Sequence, residues 1–113
     1  MKILIIDPHV LFREGLVSLL EKHRGWDVVG EAGTLREAVE KSTELKPDLV
    51  LLEIYLPDGN GVEAIREILG RKADTIVLVL TNYDSEDLFI SAVRNGAKVI
   101  LIKGYRWLIW CER

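Results

Sequence analysis

Four polar residues stand directly behind, or at the end of, four separate apolar runs. Asp7 follows Lys2–Ile6, Glu53 closes Asp48–Glu53, Thr81 follows Thr75–Leu80, and Lys103 follows Lys98–Ile102. Two carboxylates, a hydroxyl and an ammonium on one rim could bind a cation, hold an anion, or take up a transferred group on a carboxylate oxygen. Each residue also has a plainer reading. Asp7 can cap a helix with Pro8 at its first position. Thr81 is a common strand-end residue, and Lys103 can be a solvated charge. Glu53 resists the plain reading because it interrupts Leu49-Val50-Leu51-Leu52, and a buried carboxylate needs a partner. Lys103 is the natural one. At ~4 Å and an effective dielectric of ~20, their attraction is about 4 kcal/mol before desolvation is subtracted.

The elements that must bring these groups together are legible as alternating patterns. Five strands are predicted at Lys2–Ile6, Asp27–Ala32, Asp48–Glu53, Thr75–Leu80 and Lys98–Ile102. Four are near-continuous Val, Ile and Leu, as expected of strands covered on both faces. The second carries polar interruptions and reads as an edge. Four amphipathic helices lie between. The first places Phe12, Leu16, Leu19, Leu20 and His23 on one face and stops near Arg24-Gly25. The second opens on the capping box Thr34–Glu37 and buries Leu35, Ala38, Val39 and Ser42. The third starts at Gly61 with Val62, Ile65, Ile68 and Leu69 inward. The fourth starts near Asp84 or Ser85, buries Leu88, Phe89, Ala92 and Val93, and ends at Asn95-Gly96. Repeated β-α-β units imply a parallel sheet with right-handed crossovers. The expectation is an α/β, flavodoxin-like, doubly wound five-stranded sheet of order 2-1-3-4-5, with ligands bound outside the strands' carboxyl ends.

Composition narrows the function classes. With 113 residues the chain reads as one domain, residues 1–113, able to bury roughly 65% of its unfolded surface. A net charge of −3 argues against a non-specific nucleic-acid surface. The lone cysteine, Cys111, has no internal partner, and a reducing cytoplasmic setting is expected. No apolar run approaches the ~20 residues of a membrane span. An acid at position 7 comes too early for a signal peptide. After Asp7 stands Pro8-His9-Val10, with no glycine-rich phosphate loop, so a nucleotide- or flavin-binding enzyme on this fold is disfavoured. His9 and His23 read as helix residues, since two isolated histidines give no metal-ligand spacing.

The run Ile3-Leu4-Ile5-Ile6-Asp7-Pro8-His9-Val10-Leu11-Phe12-Arg13-Glu14-Gly15-Leu16 resembles the opening of response-regulator receiver domains, especially those of LuxR-type regulators. Val28 to Ala32 is similar to their second strand. Pro47 to Ile65, with Leu56-Pro57-Asp58-Gly59-Asn60-Gly61, is similar to their phosphoacceptor strand, loop and following helix. Val79-Leu80-Thr81 and Gly96 to Lys103 match the later motifs. The resemblance covers about residues 2–104 and implies a CheY-like fold in two-component signal transduction. It also implies a carboxylate that becomes an acyl phosphate, assisted by a divalent metal on oxygen ligands. It places Glu53 at the phosphoacceptor position, Thr81 and Lys103 as neighbours of the phosphoryl group, and Ile100 at the switch position.

The departures from that family pattern shape the functional expectation. Proline replaces the second member of the acidic pair after strand 1, so any Mg²⁺ would be weak, held by Asp7 with the Tyr55 backbone carbonyl. Glutamate replaces aspartate at position 53 and moves the carboxylate outward by about 1.3 Å, a displacement of the order that can cost ~100-fold in rate. The ten residues after Lys103 are too few for a full fifth helix, which makes 104–113 an atypical tail containing Trp107 and Trp110. The leading expectation is a receiver-like module, not an enzyme, that works through protein partners or as a dimer. Glu53 would then imitate, in part, a phosphorylated state. The alternative is a Mg²⁺-dependent receiver phosphorylated by a histidine kinase. A truncated product is a further reading, motivated by the tail. Trp107 and Trp110 are expected either to plug the gap beside helix 1 or to be exchanged with a second copy. DNA binding is not expected from this chain.

Overall fold

The computed structural model describes residues 1–82 and 85–103 and the backbone of 107–109. In chain order the elements are β1 (Lys2–Ile6), α1 (Val10–Leu20), β2 (Asp27–Ala32), α2 (Leu35–Leu45), β3 (Leu49–Leu52), β4 (Tyr55–Leu56) and β5 (Gly59–Asn60). They continue with α3 (Gly61–Arg71), β6 (Ile76–Thr81), α4 (Glu86–Arg94), β7 (Val99–Ile102) and β8 (Trp107–Ile109). The main sheet has the order β2-β1-β3-β6-β7-β8. Its first five strands are parallel and follow the expected doubly wound order. β8 was not expected. It pairs antiparallel with β7, Leu101 facing Trp107 and Val99 facing Ile109, so β7 is an interior strand. Part of the tail thus extends the sheet edge. The side chain of Trp107 and the whole of Trp110 lie outside the described residues.

Strand alternation divides the core into two layers. Leu4, Ile6, Val50, Leu52, Val77, Val79, Ile100 and Ile102 face α2, α3 and α4, with Ala38, Val62, Ala64, Ile65, Ile68, Phe89 and Ala92 packed onto them. Ile3, Ile5, Leu51 and Leu80 face the other way, toward Phe12, Leu16, Val17 and Leu20 of α1. Ile65 is fully buried, and burial of such a side chain is worth about 1.5–3 kcal/mol.

Local chemistry explains most boundaries. Thr34 Oγ1 accepts from Glu37 N at 3.1 Å, as the capping box requires, while Glu37 Oε1 accepts from Gly33 N at 3.0 Å. Asp58 adds a cap from outside the helix, accepting from Leu35 N at 2.6 Å and Arg36 N at 3.0 Å. Those two donors hold the Asp58 carboxyl below its usual 3.8. Asn60 Oδ1 caps α3 through Val62 N at 2.9 Å. Ser85 caps α4. Gly96 ends α4's segment at φ +113, where an L side chain is strained. α1 departs from expectation: it stops at Leu20, and Leu19 is 60% exposed. His23 instead stacks on Trp26, with ring centroids 4.3 Å apart, in the turn that must reverse the chain before β2 begins.

Candidate functional site

Backbone ladders place the rim residues. Beyond each strand's last residue the hydrogen-bonding pattern runs one step further: Asp7 N donates to Ala32 O, Glu53 N to Ile6 O, and Lys103 N to Thr81 O, each at 2.8 Å. Each of the three residues is therefore pinned to the strand beside its own, at the carboxyl ends of β1, β3 and β7, on the sheet edge where open α/β folds bind ligands. Gly61 lets the start of α3 close on this edge. A Cβ there would meet Glu53 O at 2.8 Å, Ile54 Cα at 2.9 Å and Ile54 O at 3.0 Å. The hairpin of β4 and β5, with Pro57-Asp58 at its turn, fills the loop between Glu53 and α3.

Lys103 is the centre of the site. Its Nζ donates to Glu53 Oε1 at 3.0 Å and stands 2.7 Å from Asp7 Oδ2. The contact with Asp7 is ionic without being a hydrogen bond, since its direction falls outside hydrogen-bonding geometry. The side chains of Asp7, Glu53 and Lys103 are 2%, 1% and 6% exposed, so the three charges sit in one dry cluster. The Phe12 ring covers the ammonium at 4.4 Å from its centroid, a cation–π contact. Arg13 donates from its guanidinium to Asp7 O at 2.5 Å and from Nε to Glu31 Oε1 at 2.9 Å. Tyr55 N–H points at Glu53 Oε2, 3.3 Å away.

The expected rim residues separate accordingly. Asp7, Glu53 and Lys103 are brought together. Thr81 is buried and linked to Lys103 through its carbonyl. Ile100, expected at the switch position within the last parallel strand, is fully buried in the layer facing α2, α3 and α4. Asp7 is not the helix cap and Pro8 is not the first helical residue. Asp7 Oδ1 accepts from His9 N at 2.8 Å in an Asx turn, and His9 occupies the cap position before Val10. His9 is consequently not a helix residue, and its Nδ1 lies 2.9 Å from Asp7 Oδ1. Sequence reading missed this neighbour, along with Phe12 and Arg13. The signal was the Asp-Pro pair, which favours a turn over immediate helix entry.

A model of the response regulator receiver domain matches residues 3–106. The chain belongs to the response regulator receiver domain family. Among similar proteins, the DNA-binding transcriptional activator DevR/DosR of Mycobacterium tuberculosis is 40% identical over 102 residues, covering 90% of this chain and 47% of that protein. The chemotaxis protein CheY of Thermotoga maritima is 36% identical over 105 residues, covering 93% of this chain and 87% of that protein. The crystal structure of the response regulator domain of Thermotoga maritima CheB superposes with a TM-score of 0.85 at 34% identity, covering 93% of this chain and 79% of that one. The chain spans about half the length of the first transcriptional regulators it matches. Response regulators are thus found among both the similar sequences and the similar structures.

Receiver chemistry implies a hard divalent cation on oxygen ligands. The rim of this receiver does not fit one well. Position 8 is a proline, and Lys103 already contacts one oxygen each of Asp7 and Glu53. The third donor within reach is an imidazole. Among the described residues, no helix is long and apolar enough to cross a membrane.

Proposed function

We propose that this domain is an atypical receiver that acts by protein–protein contact without a phosphorylation cycle, and is not an enzyme. The observation that carries the reading is Lys103 Nζ engaged at once by Asp7 at 2.7 Å and Glu53 at 3.0 Å under the Phe12 ring. The ammonium that would meet a phosphoryl group is neutralised by the chain's own carboxylates. Glu53, about −1 in charge where a phosphoryl group carries about −1.5 to −2, holds the lysine as a partial, permanent substitute. Thr81 and Lys103 are retained beside it, with Ile100 at the switch position and Mg²⁺ at most weakly held through Asp7. The partners are protein chains, a second copy among them, in a cytoplasmic setting. With a net charge of −3, no nucleic-acid contact is assigned to these residues.

The test is intact mass after incubation with acetyl phosphate and Mg²⁺, beside a Glu53→Asp, Pro8→Asp double variant. The native chain is expected to gain no phosphoryl group while the variant gains one. Mg²⁺-dependent phosphorylation of the native chain overturns the reading and makes this a conventional phosphoacceptor served by a histidine kinase.

A further inference from the structure

The two edges of the main sheet are finished differently. β2 is one edge and β8 the other. An open edge offers unpaired N–H and C=O groups to any strand that meets it, and folded chains blunt it with charge, irregularity or cover. β2 has all three. Asp27 and Glu31 put carboxylates along it. Its ladder with β1 shifts between Ile3 and Leu4, which leaves Val29 as an extra residue. Lys41 Nζ donates to the Glu31 carbonyl, and Arg13 Nε pairs with the Glu31 carboxylate at 2.9 Å. β8 has neither charge nor irregularity. It reads Trp107-Leu108-Ile109, without proline or glycine, and its ladder to β7 runs over all three residues without a shift. Among the described residues no strand pairs with its outer side.

The sequence on either side of β8 is self-complementary. Antiparallel pairing of a strand with its own copy is symmetric about a two-fold axis, so residues equally far before and after the central position face each other. Centred on Ile109, such pairing sets Arg106 opposite Glu112, Trp107 opposite Cys111 and Leu108 opposite Trp110. Opposite charges then meet on both sides of the axis, and the pairs between them are uncharged. Neighbouring registers lose this match. Centred on Leu108, the pairing sets Lys103 against Arg113; moved half a step beyond Ile109, it sets Arg106 against Arg113. Like charges directly opposite each other are destabilising. The floor beside β8 is also only half covered. Ile109 stands opposite Val99, and Val99 opposite Leu78. Val99 and Leu78 are partly buried, and Ile76 at the foot of β6 is 45% exposed. A two-fold axis at Ile109, perpendicular to the sheet, brings two such floors onto one continuous sheet face.

We propose that two copies of this chain join edge to edge through β8, antiparallel and centred on Ile109, so that two six-stranded sheets become one. The proposal rests on the reading of a domain that acts through protein contact, and names the second copy and the surface it uses. An edge of this length buries little area, so the dimer is weak, with a dissociation constant on the order of 10–100 µM.

The test is sedimentation equilibrium of the full chain, kept reduced so that Cys111 forms no disulfide, from about 10 µM to about 1 mM. The native chain should pass from monomer to dimer across that range. Arg106→Glu and Glu112→Arg each set like charges opposite one another twice per dimer, so each variant alone should associate about tenfold more weakly or worse. Mixed together, the two variants should form a heterodimer at native strength, since each then meets its opposite charge. The double variant Arg106→Glu, Glu112→Arg should also recover native association. A chain that remains monomeric at about 1 mM overturns the proposal and leaves the edge to a strand of a different protein. So does a dimer that the single variants leave intact, or one that neither mixing nor the double variant restores. Every outcome is read from association alone, so this proposal and the acetyl phosphate result fail separately.

Discussion

Replacing Lys103 by methionine tests whether the charged cluster holds the site together. Methionine keeps the unbranched stem as far as Cε, lacks only the terminal ammonium, and remains an apolar neighbour for Phe12. What it removes are two short contacts, 2.7 Å to Asp7 and 3.0 Å to Glu53. At an effective dielectric of ~20 each is worth about 6 kcal/mol of Coulomb attraction, a ceiling reached before desolvation is subtracted. The net loss follows the general cost of stripping one partner from a buried pair, about 3–5 kcal/mol, because two carboxylates then share a dry pocket uncompensated. With a urea m-value of about 1–3 kcal/mol/M, the unfolding midpoint should fall by roughly 2 M at pH 7. A second variant guards against outright unfolding: adding Glu53→Gln removes one of the two stranded charges. The double variant should recover part of the loss, with a coupling energy on the order of 1–3 kcal/mol. If Lys103→Met costs less than about 1 kcal/mol, it behaves as an exposed pair and the buried cluster is wrong. Additive losses would refute the coupling in the same way.

Two further outcomes follow from the same geometry. Gly61→Ala places a Cβ against backbone atoms of Glu53 and Ile54 that cannot rotate away, so a loss of about 1–3 kcal/mol in urea unfolding is expected. Asp58 caps α2, and its folded carboxyl lies below the usual 3.8, so its contribution is complete above about pH 4 and is lost as pH falls through the lower folded value. The stability gap between the native chain and Asp58→Ala should therefore stay constant from pH 7 to 5 and shrink toward pH 3; a gap that grows on acidification would contradict the cap.

The sheet was legible because its strands are buried on both faces. Runs such as Ile3-Leu4-Ile5-Ile6 and Val77-Leu78-Val79-Leu80 have no alternative home in a chain of this size. The Glu53–Lys103 pair was legible for a related reason: a carboxylate at the end of a buried run requires a cation, and a lysine stands at the end of another. His9 was hidden because its position depends on a side-chain-to-backbone turn at Asp7, a three-residue effect that periodicity does not register. Phe12 read as an ordinary core residue, and its ring does pack with the α1 layer, but apolar spacing cannot reveal a face turned toward an ammonium. The β4–β5 hairpin carried the turn signal Pro57-Asp58-Gly59, yet its strands have two residues each, below the length at which alternation speaks. β8 was missed because a three-residue strand gains its identity from β7, not from its own pattern.

α1 is anchored less firmly than the other helices. None of its residues is fully buried, its N-terminus lacks a side-chain cap, and it has no acidic residue in the first turn. By contrast α3 buries five residues and has both a cap and complementary end charges. Local opening free energies track such differences, so α1 is the unit expected to detach first while the sheet and α2–α4 persist. It is also the element that carries Phe12 and Arg13, which shield Lys103 and grip the Asp7 carbonyl. Access of solvent to the three central charges is therefore set by a sub-global unfolding equilibrium of one helix, and the rate at which the cluster meets water is a property of that foldon, not of the strands that carry the charges.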